Sequence, residues 1–235
     1  NGLDIGGDID VSGNLTGSNA NFTGELTVAE TIGHTGDTHT KLSFPANDTI
    51  ALTTGGTERA RITSNGHLLL GTGTDYADSN SDDVQIYGTG DTGMSITSGT
   101  SHYGSIYFGD GTSGDSRNRG IVRYNHNNNS MELWANTSER LRIDQYGRLL
   151  VGTTTEGHAN ADNLTIATTD HTGITLRSAT NRNGSVFFSD GTSGADEYRG
   201  WIQYTHTSDY LTFGTNGDER LRITNNGRVG INSTS

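Results

Sequence analysis

The residues of this chain best equipped for chemistry belong to a charged phrase that recurs three times. The phrase reads Glu-Arg-Ala-Arg-Ile at 58–62 and Glu-Arg-Leu-Arg-Ile at 139–143 and 219–223, and a glycine turn and a short apolar run follow each copy. Its guanidinium and carboxylate groups could grip an acidic sugar. Because a receptor site need not be built three times, recurrence favours a structural role. In that role Leu141 and Ile143 face the core, while the charged side chains form solvated or intersubunit pairs.

Two polar segments are candidate metal sites. His34, Asp37 and His39 lie close in sequence, and a threefold axis could gather three copies of one histidine into a site suited to Zn or Ni. Residues 110–115 loosely resemble an oxygen-rich calcium loop but lack the alternating carboxylates of an EF-hand. A polar loop is the simpler interpretation of both segments. We therefore predict neither a metal site nor a cofactor.

Catalytic signals are also weak. The chain has 27 Asp and Glu residues, but neither spacing nor an apolar pocket singles out a pair for glycoside hydrolysis. Neither a nucleophile elbow nor a zinc-protease helix motif is present, and the glycines mark turns rather than phosphate loops. The sequence therefore predicts no catalytic residue and a protein that is not an enzyme.

Candidate binding residues come from positions at which the repeats differ, because such residues are not required by the shared structure. Exposed aromatic rings offer flat apolar faces to sugar rings at little entropic cost. The alternative is that they pack between subunits or have simply drifted. The receptor-binding candidates are Trp134 (against Gly214), Tyr198 (against Asn118), Trp201 (against Ile121) and Tyr103 (against Asn183).

The elements that would position these residues recur about every 80 residues, which indicates an array of similar β units. Apolar residues two apart predict short strands, and Asn-Gly or Tyr-Gly turns separate each charged phrase from the next apolar pair. We predict a glycine-rich β shaft at 1–32, a short diverged repeat at 33–74, and full repeats at 75–155 and 156–235.

Composition constrains the assembly. Only 29% of residues are hydrophobic, so thin β units have little apolar area of their own to bury, and association with identical chains is the expected remedy. A net charge of −12 argues against nucleic-acid binding. No apolar run approaches the roughly 20 residues that cross a bilayer, which argues against membrane insertion.

The repeats resemble the tail fibres and related virion adhesins of tailed bacteriophages, especially marine ones. The resemblance rests on the charged phrase with its turn and Gly-Thr, on Phe-x-Asp-Gly-Thr-Ser-Gly, and on Arg-Gly-x-Ile-x-Tyr-x-His, and covers most of 33–235. It implies an all-β, elongated, fibrous homotrimer of repeated β-hairpin modules with a narrow N-terminal β shaft. Such a fibre is extracellular on the virion, joins other tail proteins and contacts a host surface glycan.

Such fibres often continue into a trimerising chaperone that cuts itself off, and that domain would be expected after Ser235. Two other functions stay open at this point. One is a polysaccharide-degrading tailspike whose carboxylates lie between subunits, and the other is a structural filament without a receptor.

Overall fold

The computed structural model describes residues 27–34 and 36–232, and over this part the chain is all-β, as predicted. Most of the predicted shaft, 1–32, lies outside the described residues. The described helices are two short 3-10 turns, Gly114–Asn118 and Gly194–Tyr198. No helix in this part of the chain is long and apolar enough to cross a membrane. The chain divides into two compact units, Asn1–Ile96 and Thr97–Ser235.

The first unit contains one six-stranded sheet. Each strand pairs with the next along the chain, antiparallel throughout except for the parallel pairing of the last two. The strands are β1 Thr31–His34, β2 Asp37–Ser43, β3 Ile50–Thr54, β4 Thr57–Ile62, β5 Leu68–Leu70 and β6 Val84–Ile86.

The second unit contains two sheets of the same strand order. The six-stranded sheet is formed by β7 Tyr103–Phe108, β8 Gly120–Asn125, β9 Ser130–Ala135, β10 Ser138–Ile143, β11 Leu149–Val151 and β12 Leu164–Ile166, with β12 parallel to β11. The third sheet has five described strands, β13 Asn183–Phe188, β14 Gly200–Thr205, β15 Tyr210–Thr215, β16 Asp218–Ile223 and β17 Val229–Ile231.

The predicted strands of the two full repeats are confirmed, but the parallel strands β6 and β12 were not predicted, because each has only three residues and, unlike the equally short β11, does not follow a charged phrase and a glycine turn. Both lie early in a repeat and pair with the last strand of the preceding repeat. The repeat boundaries at 74/75 and 155/156 therefore fall inside sheets. The turn glycines also follow the prediction: Gly147, for example, has φ 80°, a left-handed conformation that glycine adopts without strain.

Each sheet has two unlike faces, which the strand register defines. In the second sheet one face, the apolar face, carries two rows of uncharged side chains. These are Ile106, Val122, Leu133, Leu141, Val151 and Ile166, then Tyr124, Met131, Ile143, Leu149 and Leu164. The opposite face, the charged face, carries Ser105, Arg123, Glu132, Arg142, Leu150 and Thr165.

Burial of these faces is the reverse of the usual arrangement. On the charged face Glu132 is 0% exposed and Leu150 1%, whereas on the apolar face Ile143 is 43% exposed and Ile106 42%. The other two sheets repeat this asymmetry, with exposed apolar residues such as Ile62 and Ile202 on the same face.

In the single chain Ile143 is thus exposed rather than in a core. Of the charged phrase, Glu139 and Arg142 are each only 14% exposed, whereas the first arginine, Arg140, is exposed as expected of a solvated charge. Long arginine, glutamate and aromatic side chains lie across the charged face and cover one another. The shorter branched side chains of the apolar face stay open to solvent.

Candidate functional site

The charged phrase forms the same ion pair in all three sheets. Its Glu and second Arg make a bidentate pair, with Nε–Oε1 and Nη2–Oε2 distances of 2.6–2.8 Å; the pairs are Glu58–Arg61, Glu139–Arg142 and Glu219–Arg222. Residues three apart on a regular strand point to opposite faces. Here a β-bulge at the intervening first Arg brings both onto the charged face.

The first arginine of the phrase is held separately. The Nε of Arg140 donates to the carbonyl of Ala135 at 3.1 Å, and those of Arg59 and Arg220 donate to a threonine hydroxyl at the same turn. The hydrogen bond from Arg61 holds the pKa of Glu58 below its usual value. The charged groups of the phrase are thus paired or hydrogen-bonded within the sheet, which favours a structural role over the binding of an acidic sugar.

In the second sheet this pair extends into a buried cluster around Glu132. One carboxylate oxygen accepts hydrogen bonds from Arg123 Nε (2.6 Å) and Trp134 Nε1 (3.3 Å). The other accepts from the hydroxyl of Ser130 (2.8 Å) and Asn125 Nδ2 (3.2 Å), and Arg142 Nη2 lies 2.9 Å away. Burial alone would raise the pKa of Glu132, but these donors outweigh it and hold the pKa below its usual value. The carboxylate stays ionised.

The two tryptophans that differ between repeats occupy equivalent space. Trp134 on β9 lies opposite Ile121 on β8, and Trp201 on β14 lies opposite Gly214 on β15. Because β8 corresponds to β14 and β9 to β15, the two indoles belong to the same cross-strand pair of positions but come from different strands of that pair. Both indole N–H groups donate over 3.3 Å to the same sequence position, Glu132 in one sheet and Thr212 in the other. A Cβ at Gly214 would overlap the Trp201 ring. The two tryptophans are therefore not independent differences between the second and third sheets, whereas the corresponding positions of the first sheet, Lys41 and Thr53, carry no indole.

Tyr103 and Trp134 are both held by one arginine. The Arg123 guanidinium lies 4.3 Å from the Tyr103 ring and 4.4 Å from the Trp134 ring, so the two rings flank a cation that is itself paired with Glu132. Such stacking fixes the side chains in the charged face. These two candidates are thus part of the packing that buries Glu132.

The other two candidates, Tyr198 and Trp201, meet in a cleft of about 290 Å³ on the charged face of the third sheet. Their ring centroids are 6.5 Å apart and inclined at 59°. Phe187 and Tyr210 complete the aromatic wall. Sequence comparison missed Tyr210, although the alignment offered a signal, since Ser130 is its counterpart in the second repeat.

Polar groups line the rest of this cleft, which we call the aromatic cleft. Gln203 and Thr212 stand where the second sheet has Arg123 and Glu132, and their smaller side chains leave the space open. Glu219 lies at the same cleft with its carboxylate paired to Arg222. Four rings beside an amide, a hydroxyl and an oriented carboxylate suit a ligand with apolar faces and many hydroxyl groups.

Within the described part of a single chain, the metal candidates from the sequence are not grouped with metal-ligand spacing. Asp37, the first residue of β2, accepts a hydrogen bond from the backbone N–H of His39 (2.7 Å). Among the described residues the grouping with metal-ligand spacing is instead His67, Asp75 and Asp82. His67 Nδ1 lies 2.8 Å from one carboxylate and Nε2 3.6 Å from the other.

This histidine group is better explained as a charged clip. Each ring nitrogen faces a different carboxylate, which suits an imidazolium donating from both nitrogens. The equivalent position in the second repeat, directly before β11, is Arg148, which pairs with three carboxylates, at 2.7 Å to Asp144, 3.4 Å to Glu156 and 3.1 Å to Asp162. The hydrogen bond to Asp75 raises the pKa of His67.

No protein-family model matches this chain, and a comparison with curated proteins finds no significant match.

Proposed function

We propose that this chain is a segment of a homotrimeric β fibre on the tail of a bacteriophage, which extends from the virion and attaches it to a host surface glycan. The observation that carries the proposal is the exposed apolar face shared by all three sheets. Soluble monomers rarely leave large contiguous apolar patches open to water. Because the same face is apolar in every repeat, the partner that covers it must also present an apolar surface at every repeat.

Identical copies are the partner that meets this requirement. Around a symmetry axis each apolar face packs against its own counterparts, repeat by repeat, and closed cyclic symmetry is the normal form of such assembly. None of the residues on the apolar face of the second sheet is charged, so the net charge of −12 does not oppose contact there. The order of three comes from the resemblance to phage fibres.

The two carboxylates best held on the charged face, Glu132 and Glu58, lack the property that acid catalysis of glycan cleavage requires. A glycoside hydrolase needs a carboxyl whose pKa is raised so that it can donate a proton. Glu132 and Glu58 have lowered pKa values instead, because arginine pairs hold them ionised. Neither Glu132 nor Glu58 is therefore suited to be the proton donor of a polysaccharide-degrading tailspike.

Neighbouring residues on β7 provide the test. Ile106 and Tyr107 are 42% and 54% exposed but point to opposite faces. Ile106→Asp places a charge in the proposed interface and is expected to abolish the trimer in sedimentation experiments, while Tyr107→Asp, the matched control, leaves it intact. A folded monomer from the unmodified chain, or a trimer that survives Ile106→Asp, contradicts the proposed assembly.

Attachment is tested separately with purified host polysaccharide and intact host cells. The proposal expects binding without new reducing ends. Release of reducing ends would identify a tailspike, and a trimer that binds neither cells nor polysaccharide would identify a receptor-free filament.

A further inference from the structure

We infer that the aromatic cleft of the third sheet binds one neutral hexopyranose ring of a host surface glycan. The choice of a saccharide rests on the proposed attachment function, whereas the cleft itself follows from the differences between repeats. At about 290 Å³ it lies at the lower end of the roughly 300–1,000 Å³ typical of ligand pockets. That volume suits one ring, with neighbouring sugars continuing into solvent.

The cleft exists because the third sheet replaces an ion pair with small polar groups. In the second sheet Arg123 and Glu132 meet at 2.6 Å and fill the middle of the charged face. In the third sheet Gln203 and Thr212 occupy these strand positions, and Trp201 donates its N–H to the Thr212 hydroxyl. The third sheet therefore keeps an indole over this position but lacks the arginine and glutamate side chains that lie beneath the indole in the second sheet.

The lining matches the two kinds of surface that a pyranose presents. Its C–H face packs on aromatic rings, and Tyr198 and Trp201 provide a pair inclined at 59°, with Tyr198 41% exposed. Its hydroxyl groups need acceptors and donors around the rim. Each Glu219 oxygen accepts one bond from Arg222 and keeps a free lone pair, and Gln203 carries an amide N–H₂.

The charge of the site favours a neutral sugar. Arg222 is occupied by its pair with Glu219 and lies 4.1 Å from the Tyr210 ring, so its charge is already matched. An anionic sugar would bring a second negative charge beside Glu219, on a chain whose net charge is −12. The same residues therefore select against uronic and sialic acids.

The cleft is also placed for use in the proposed fibre. It opens on the charged face, opposite the apolar face that the trimer would bury, so three clefts per trimer would point outward. One sugar ring binds weakly, but several linked sites raise overall avidity by about 10²–10⁴ without new contacts. A repeating glycan can engage more than one cleft.

The test uses the intact chain and saturation-transfer NMR with the methyl glycosides of glucose, galactose, mannose, N-acetylglucosamine and rhamnose. At least one is expected to bind, with transfer strongest to the ring C–H protons. Tyr198→Ala is expected to weaken binding at least tenfold. The matched control is Tyr146→Ala, which removes another exposed tyrosine away from the cleft.

A second variant fills the cleft without relying on aromatic truncation. Gln203→Arg with Thr212→Glu reproduces the ion pair that the second sheet already contains, and it is expected to abolish binding while thermal unfolding stays cooperative. Absence of binding by all five glycosides, or binding that survives the filled cleft, overturns the inference. Sedimentation of the same samples separates the outcomes, since a trimer without sugar binding refutes the cleft alone and a monomer refutes the fibre.

Discussion

Glu132→Thr tests whether the buried carboxylate holds the second sheet together. The change installs the residue that the third sheet carries at this position, Thr212. Arg142 keeps its bidentate partner Glu139, but Arg123, whose side chain is only 14% exposed, loses its carboxylate. Breaking a buried pair by removing one partner costs about 3–5 kcal/mol. Because only one of the two arginines is orphaned, we expect a loss near the lower end, about 3 kcal/mol.

The third sheet also indicates a second substitution that should restore stability to the Glu132→Thr variant. Its counterpart of Arg123 is Gln203, so Arg123→Gln combined with Glu132→Thr reproduces a pairing that this fold already uses. Removing both charges leaves none unpaired, and the double variant is expected to recover at least half of the lost stability. The two single changes should therefore couple by more than about 1 kcal/mol in a double-mutant cycle.

The assay is urea unfolding of the four proteins at one fixed chain concentration, because oligomer stability depends on concentration. Glu156→Thr is the control, since that glutamate makes a partly exposed pair at 3.4 Å with Arg148 and exposed pairs contribute about 0–1 kcal/mol. The reasoning is refuted if Glu132→Thr is no more harmful than Glu156→Thr. It is equally refuted if the double variant loses the full sum of the single effects.

Three further predictions concern other parts of the structure. The pKa of His67 is raised, so the stability that its charge contributes is complete below about pH 6.5 and is lost as pH rises through the folded-state pKa. Thermal unfolding at pH 5.5 and 8.5 should show this loss of stability in the native chain and not in His67→Arg. Gly214→Ala forces a methyl group against the Trp201 indole and should destabilise the chain by about 1–3 kcal/mol in urea, and an unchanged midpoint would contradict the packing described. Leu141→Asp is expected to abolish soluble trimer in sedimentation, whereas Trp134→Ala, on the opposite face, should leave the trimer intact at a cost of about 3 kcal/mol.

The strands could be predicted because alternation is a local property of the chain. Ile106 and Phe108, or Leu141 and Ile143, fall two apart, and any extended backbone then places them on one face. The same pattern cannot tell which face is covered. Hydropathy alone does not predict that, in the single chain, the large charged side chains cover one another through ion pairs and stacking while the apolar face stays exposed.

The candidate site shows a second limit, which is that pairs across strands are set by register. Glu139 and Arg142 share a face only because a bulge intervenes at Arg140, and the phrase itself gives no sign of that bulge. The histidine clip at His67 was missed for a related reason. Its two carboxylates lie in a loop that folds back on the strand, at separations where sequence spacing carries no geometric information.

Differences between repeats are therefore informative only when they are compared in three dimensions. In the sequence, Trp134 and Trp201 look like two unrelated differences between repeats. In the structure, they belong to the same cross-strand pair of positions and come from opposite strands of it. The change that leaves no such compensation is the loss of the Arg123–Glu132 pair, because Gln203 and Thr212 leave a cleft with four rings around it. The apolar face stays apolar in all three sheets, as an assembly surface requires, while the charged face varies in its lining. Under the proposed assembly, a receptor site is therefore to be sought on the varied face.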